Sequence, residues 1–261
     1  MNPPVVFLIF ANQPIYPLYK LTQERKGIED VLRQADKSGY LRCISESSVA
    51  TPDIFKIFDD YRGQIKVLHF GGHANGEVLD FTDQRIPAQY LADLIATENQ
   101  IGNIELVFLN ACATNNQVKA LLEAGVKNVI ATTNNIEDEQ ASQFAQQFYR
   151  SFVAGATIGE AYKKAITWLR VKYPNISNHL QGLEQVRGMD DLNDIPDSSE
   201  LPWGLYTAEN AQADYVIELK MPPEKQGPKQ DVFHGGPIHN DGAVTNQINN
   251  LNGLEGGIKM G

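Results

Sequence analysis

Ile65-Lys66-Val67-Leu68-His69-Phe70-Gly71-Gly72-His73-Ala74-Asn75-Gly76 is the stretch whose reading decides the fold. It starts as an apolar strand, residues 65–70, and breaks off in a glycine-bracketed loop that carries a histidine. A second run of the same kind, residues 106–109, breaks off in Asn110-Ala111-Cys112-Ala113-Thr114. Apolar runs without polar alternation predict strands covered on both faces, as in a parallel sheet. Further runs of this type lie at 5–11, 41–45 and 126–132. Between them come helical patterns at 22–37, 52–61, 87–97, 116–123, 138–154 and 157–172. Thr157 with Glu160 has the spacing of a capping box, and Pro174 stops the last helix. Strand–helix alternation of this length predicts a doubly wound α/β/α arrangement. A further strand over 214–219 is expected after a long loop, and no internal repeat is present.

The chain of 261 residues is long enough for one large α/β domain or two small ones. Lysine and arginine number 22 against 32 acidic residues, a net charge of −10. That balance argues against nucleic acid and anionic membrane surfaces as partners. No apolar run reaches the roughly 20 residues of a membrane helix. The N-terminal apolar run lacks the basic flank and cleavage pattern of a signal peptide, so a cytoplasmic location is expected. Two cysteines, Cys43 and Cys112, without a CxxC pair make neither a disulfide scaffold nor a metal knuckle. Composition shifts near Lys220. Residues 221–261 hold 8 of the 21 glycines, and 221–230 reads as a polar, proline-bearing linker. The expected organisation is therefore one domain over 1–220 and a linker with a tail over 221–261.

In an open parallel sheet, functional groups gather at the carboxyl ends of adjacent strands. His73 and Cys112 are thus expected to face one crevice, and glycines around His73 are expected to let the loop bend and approach a substrate. A thiol with an imidazole suffices for acyl transfer: the thiolate attacks a carbonyl carbon and the imidazolium protonates the leaving amine. The amide of Cys112 and one from the His73 loop can hold the oxyanion. His69 reads as a strand residue with a satisfied ring, and Cys43 as core. Asp138 reads as a helix cap or acidic first turn, with a substrate-lining role as the alternative. Asn110 positions the loop or lines a pocket. His179 has no nameable partner. Residues 190–200, with Asp190, Asp191, Asp194, Asp197 and Glu200, read as a solvated loop, with a processing site as the alternative.

His69-Phe70-Gly71-Gly72-His73-Ala74 on one strand end and Leu109-Asn110-Ala111-Cys112 on the next resemble the CHAT domain, a bacterial branch of caspase-like cysteine peptidases. Phe10-Ala11-Asn12 with Pro17-Leu18, Glu24 and Ile28 is similar to that family's first strand and helix. Ile136 through Ala141, Phe148-Tyr149 and Gly155 resemble its fifth crossover, and Pro202-Trp203-Gly204-Leu205-Tyr206 its closing strand. The resemblance spans about residues 5–220. It implies a caspase-like three-layer α/β/α sandwich with a mostly parallel central sheet. It also implies His73 and Cys112 as the catalytic pair, with the backbone amides of Ala74 and Cys112 as the oxyanion hole. Asn110 and Asp138 become candidates for substrate binding. Ala74 stands where many caspase-like enzymes place glycine, and alanine resists positive φ. Asn110 stands where some relatives place an aspartate for a basic P1 residue, so P1 preference is open.

The expected activity is a cysteine endopeptidase acting on a protein substrate, with no metal or cofactor. The resemblance implies a role in bacterial defence or regulated cell death. A catalytically silent scaffold of the same fold is the alternative, and Ala74 is the feature that leans toward it. His234 and His239 are too few for a metal site. In the tail, Val232-Phe233, Ile238, Val244, Ile248 and Leu251 recur among Asn, Gln and Gly. That pattern over 231–257 suits stacked cross-β pairing, so self-association or docking to a receptor with a matching segment is expected.

Overall fold

The computed structural model describes residues 2–12, 17–173, the backbone of 186–188, and 203–211. Chain contacts separate a unit Met1–Pro223 from a unit Glu224–Gly261, and all described residues lie in the first. The expected strand at 214–219, the loop 190–200 and the tail segment 231–257 fall outside the described residues.

Seven strands form one sheet. β1 (Val5–Ala11), β2 (Arg42–Ser47), β3 (Ile65–Gly72), β6 (Leu106–Asn110), β7 (Asn128–Thr132), β8 (Val186–Gly188) and β9 (Trp203–Thr207) are arranged in the order β2-β1-β3-β6-β7-β9-β8. β2, β1, β3, β6 and β7 are mutually parallel, β9 runs antiparallel to β7, and β8 runs parallel to β9. The remaining strands, β4 (Val78–Asp80) and β5 (Arg85–Pro87), make a separate antiparallel hairpin. The helices are α1 (Leu21–Lys37), α2 (Thr51–Asp60), α3 (Ala88–Glu98), α4 (Val118–Glu123), α5 (Asp138–Val153) and α6 (Ile158–Lys172).

β1 shows why apolar runs without alternation sit in the middle of the sheet. All seven of its residues are buried. Val6, Leu8 and Phe10 enter one core with α1, α5 and α6, while Val5, Phe7, Ile9 and Ala11 enter the other with α2, α3 and α4. The twofold side-chain period of a strand thus feeds two helical layers at once. Phe108 centres the first core, edge-on to Phe144 and Phe148 and stacked on Tyr149. Thr157 caps α6 as the spacing predicts: its hydroxyl accepts from the Glu160 amide at 3.0 Å, and Glu160 accepts from the Thr157 amide at 3.0 Å.

Two details depart from the sequence reading. The β4–β5 hairpin, whose turn is closed by the Phe81 amide donating to the Gln84 carbonyl at 2.9 Å, was not anticipated. β3 also runs on through its two glycines instead of bending at them. Gly71 pairs with Phe10 and Asn110, and Gly72 with Ala11. Neither has positive φ. A Cβ at Gly72 would stand 2.8 Å from the Ala11 carbonyl oxygen. Close strand packing, not a turn toward substrate, is what glycine supplies there.

Candidate active site

β3 and β6 are adjacent and parallel, with Gly71 opposite Asn110. His73 and Cys112 therefore each follow two residues beyond the same register pair, at the same carboxyl edge of the sheet. Both are half-buried. Residues beyond the strands clamp the two loops together. Gln117, itself buried, donates its amide to the Asn75 carbonyl at 3.2 Å. Gly76 packs against the exposed side chain of Asn116 from the other loop: a Cβ there would lie 2.5 Å from Asn116 Nδ2, which would have to turn aside.

The His73 loop is the first arm of a small hairpin. The Asp80 amide donates to the His73 carbonyl and the Asn75 amide to the Val78 carbonyl, both at 3.0 Å, on either side of an Ala74–Leu79 bridge. Asn75 Oδ1 accepts from the amides of Glu77 and Val78 at 2.9 Å each and closes the turn. In such a ladder the residue between the two bonds turns its own N–H away from the partner strand. The Ala74 amide accordingly points out of the hairpin. Ala74 also avoids the left-handed region, so alanine costs nothing in backbone strain at this position.

The strained residue is instead Ala113, at φ 51° and ψ 42°. It turns the chain directly after Cys112, and its amide donates to the Asn134 carbonyl at 3.2 Å. Non-glycine residues held in this region cluster at functional turns. Two buried threonines hold the turn. The Thr132 amide donates to Thr114 Oγ1 at 3.0 Å, the Thr114 amide to Thr132 Oγ1 at 3.3 Å, and Thr132 Oγ1 donates to the Ala111 carbonyl. Among the described residues, no acceptor is found for the amides of Ala74 or Cys112. Thr132→Val should leave the Thr114 amide and the Ala111 carbonyl unpaired in the interior, lowering stability by about 1–3 kcal/mol in urea unfolding. A change within about 0.5 kcal/mol would mean that the hydroxyl pair does not hold the turn.

Below the loops, Asn110 lies buried rather than open to a pocket. Its Nδ2 donates to Glu24 Oε1 at 2.7 Å and to the Ala141 carbonyl at 3.0 Å, and its Oδ1 accepts from Trp203 Nε1 at 3.1 Å. The same Glu24 oxygen stands 3.0 Å from His69 Nε2. His69 is fully buried among Phe10, Phe108 and Tyr149. Only one of its ring nitrogens is satisfied, since Nδ1 has no hydrogen-bond partner among the described residues. Asp138 is the first residue of α5, and its carboxylate accepts from the Lys20 amide at 2.7 Å. It thus caps the start of α1, a helix distant in sequence, rather than its own. Sequence reading missed Gln117, Thr114, Thr132 and the anchoring role of Glu24, because none belongs to a local motif.

Cys43 packs half-buried against the first core. Burial first, then Asp36 and Glu29, push its thiol from 9.0 up to about 12. A thiol reacts as thiolate. Iodoacetamide at about pH 8 should therefore leave Cys43 unmodified in the folded protein and alkylate it once urea unfolds the chain, as read by peptide mass spectrometry. Because the folded-state value is the raised one, the stability gained by keeping this thiol neutral is complete below 9.0 and is lost as pH climbs toward 12. Rapid labelling of Cys43 in the folded state would contradict this placement.

Among the described residues, no group of three or more His, Cys, Asp or Glu could hold a metal ion, and no helix is long and apolar enough to cross a membrane. The profile of the CHAT domain matches residues 15–185. No curated protein matches the chain. Among solved structures, the Arg-specific cysteine proteinase gingipain R superposes with a TM-score of 0.51 at 13% identity, over 85% of this chain and 49% of that one. The complex of the Porphyromonas gingivalis RgpB pro- and mature domains gives 0.50 at 14% identity, over 83% and 48%. Caspase-1 from Spodoptera frugiperda gives 0.49 at 9% identity, over 80% and 87%. The chain spans about half the length of the gingipain chains it matches. The fold is the caspase-like α/β/α sandwich expected from the sequence.

Proposed function

The chain belongs to the CHAT domain family, and from that premise we propose that it is a cysteine endopeptidase working through Cys112 and His73. One observation carries the reading: two adjacent parallel strands deliver a histidine and a cysteine at equal steps past one register pair, on loops joined through Gln117 and Asn75. The Cys112 thiolate adds to the scissile carbonyl carbon, and the oxyanion settles on the amides of Ala74 and Cys112. The imidazolium of His73 gives its proton to the departing amine as the C–N bond breaks. Water, deprotonated by the same ring, then hydrolyses the thioester and returns the thiol. Gingipain R, named a cysteine proteinase, is built on this fold, which supports the reaction class by analogy of fold alone.

The substrate is another protein, and the setting is bacterial defence or regulated cell death in the cytoplasm. Residues 231–257 recruit the peptidase through self-association or a matching receptor segment. The silent-scaffold alternative rested on Ala74, whose ordinary backbone and outward amide give it no support. The test is a proteome-wide comparison of new N-termini after expression of wild type and of Cys112→Ala. Neo-termini confined to the wild type are expected. Identical sets would end the peptidase reading.

A further inference from the structure

Beside His73 the His73 loop and the β4–β5 hairpin wall an open cleft of about 270 Å³, lined by His73, Ala74, Asn75, Asp80 and Arg85. Its two charged residues are cross-strand partners, with Arg85 Nε 3.1 Å from Asp80 Oδ1. They are unequally exposed: 10% for the Asp80 side chain and 64% for that of Arg85. Both line the cleft, and a molecule entering it meets far more of the guanidinium than of the carboxylate. The bond through Nε restrains the guanidinium plane and leaves its four terminal N–H donors for a ligand. A guanidinium held in this way suits bidentate recognition of a carboxylate. The hairpin's other carboxylates do not line the cleft. Asp83 is engaged by the amide and hydroxyl of Thr51, and Glu77 lies out on the turn.

We infer that this cleft is a side-chain subsite that receives an acidic residue of the protein substrate. Arg85 is its carboxylate-binding group, and Asp80 is the residue that positions Arg85. The inference rests on the peptidase reading, since proximity to His73 is what makes the cleft a substrate subsite. It goes further in naming the chemistry the substrate must carry.

The test separates binding from cleavage. Full-length Cys112→Ala protein is titrated with acetyl-Ala-Ala-Xaa-Ala-Ala-amide, where Xaa is Asp, Ala or Lys. The Arg85 Nε–H and Ala74 N–H resonances are followed by NMR. The Asp peptide should shift both signals and bind about ten-fold or more tighter than the Ala and Lys peptides. Arg85→Gln in that background should remove the preference, and Arg85→Glu should turn it toward Lys. No preference for Asp, no binding of any of the three, or a preference unmoved by Arg85→Glu overturns the subsite. In parallel, wild type is profiled on a peptide library. Acid-selective binding without Cys112-dependent cleavage overturns the peptidase reading and leaves the acidic site standing. Cys112-dependent cleavage that ignores acidic residues overturns the subsite alone.

Discussion

Cys112→Ala should lower peptide cleavage by on the order of 10³-fold or more while leaving the thermal transition in place. The loss is large because in the proposed mechanism the thiol forms the covalent intermediate, which alanine cannot form. The fold is spared because Cys112 is half-buried, beyond the last residue of β6, with the core-forming side chains behind it. His73→Ala should fall nearly as far, since the attacking thiolate and the leaving amine both depend on the ring. The double variant should be little worse than either single one, because the pair acts as a unit. Initial rates on a substrate identified from its new N-termini measure all three. A Cys112→Ala protein that still cleaves at more than about a tenth of the wild-type rate would remove Cys112 from the mechanism.

The largest effect on stability should come from Glu24, a residue with no part in the chemistry. Its carboxylate is 1% exposed and lies where α1 meets β3 and β6. One oxygen faces His69 Nε2 and the Asn110 amide together, and Asn110 passes the connection to Ala141 on α5 and Trp203 on β9. Glu24→Ala strands an imidazole nitrogen and an amide proton among Phe10, Phe108 and Tyr149. Each buried group left without its partner costs about 1–3 kcal/mol, so two together cost about 2–6 kcal/mol. For a domain of this size that is a fall in Tm of roughly 10 °C. Glu24→Gln keeps the volume and one acceptor, and should lose only about 1–2 kcal/mol. Thermal unfolding followed by circular dichroism reads both. A Tm for Glu24→Ala within about 2 °C of wild type would show that the network adds little to the fold.

The interior of the sheet was legible because buried parallel strands write themselves as apolar runs; β2, read the same way, is an edge strand with no buried residue. Val5–Ala11 has the same bounds in the sequence and in the structure, since nothing but a two-sided core accounts for seven consecutive apolar residues. The capping box at Thr157 was equally plain, because its partners are three residues apart. The placement of His73 and Cys112 was legible for a related reason: strands of a parallel sheet end at a common edge, so a histidine and a cysteine that close two adjacent runs share that edge.

What governs the loops was not written locally. Gly71 and Gly72 read as a bend, yet they serve as strand residues, because the atoms that exclude a side chain at Gly72 belong to Ala11 and Phe70. Asp138 read as a cap or acidic first-turn residue of the helix it begins; it stands in that first turn, but its carboxylate binds the Lys20 amide 118 residues away. Asn110 read as positioning the loop or lining a pocket, and the sequence could not choose; its donors go to Glu24 and Ala141 and its acceptor to Trp203, all from other elements. A side-chain hydrogen bond depends on which groups the packed chain leaves within about 3 Å. Periodicity and capping, which act over a few residues, can be read along the chain. The partners of a buried polar group come from separate elements, so they are decided only when those elements pack.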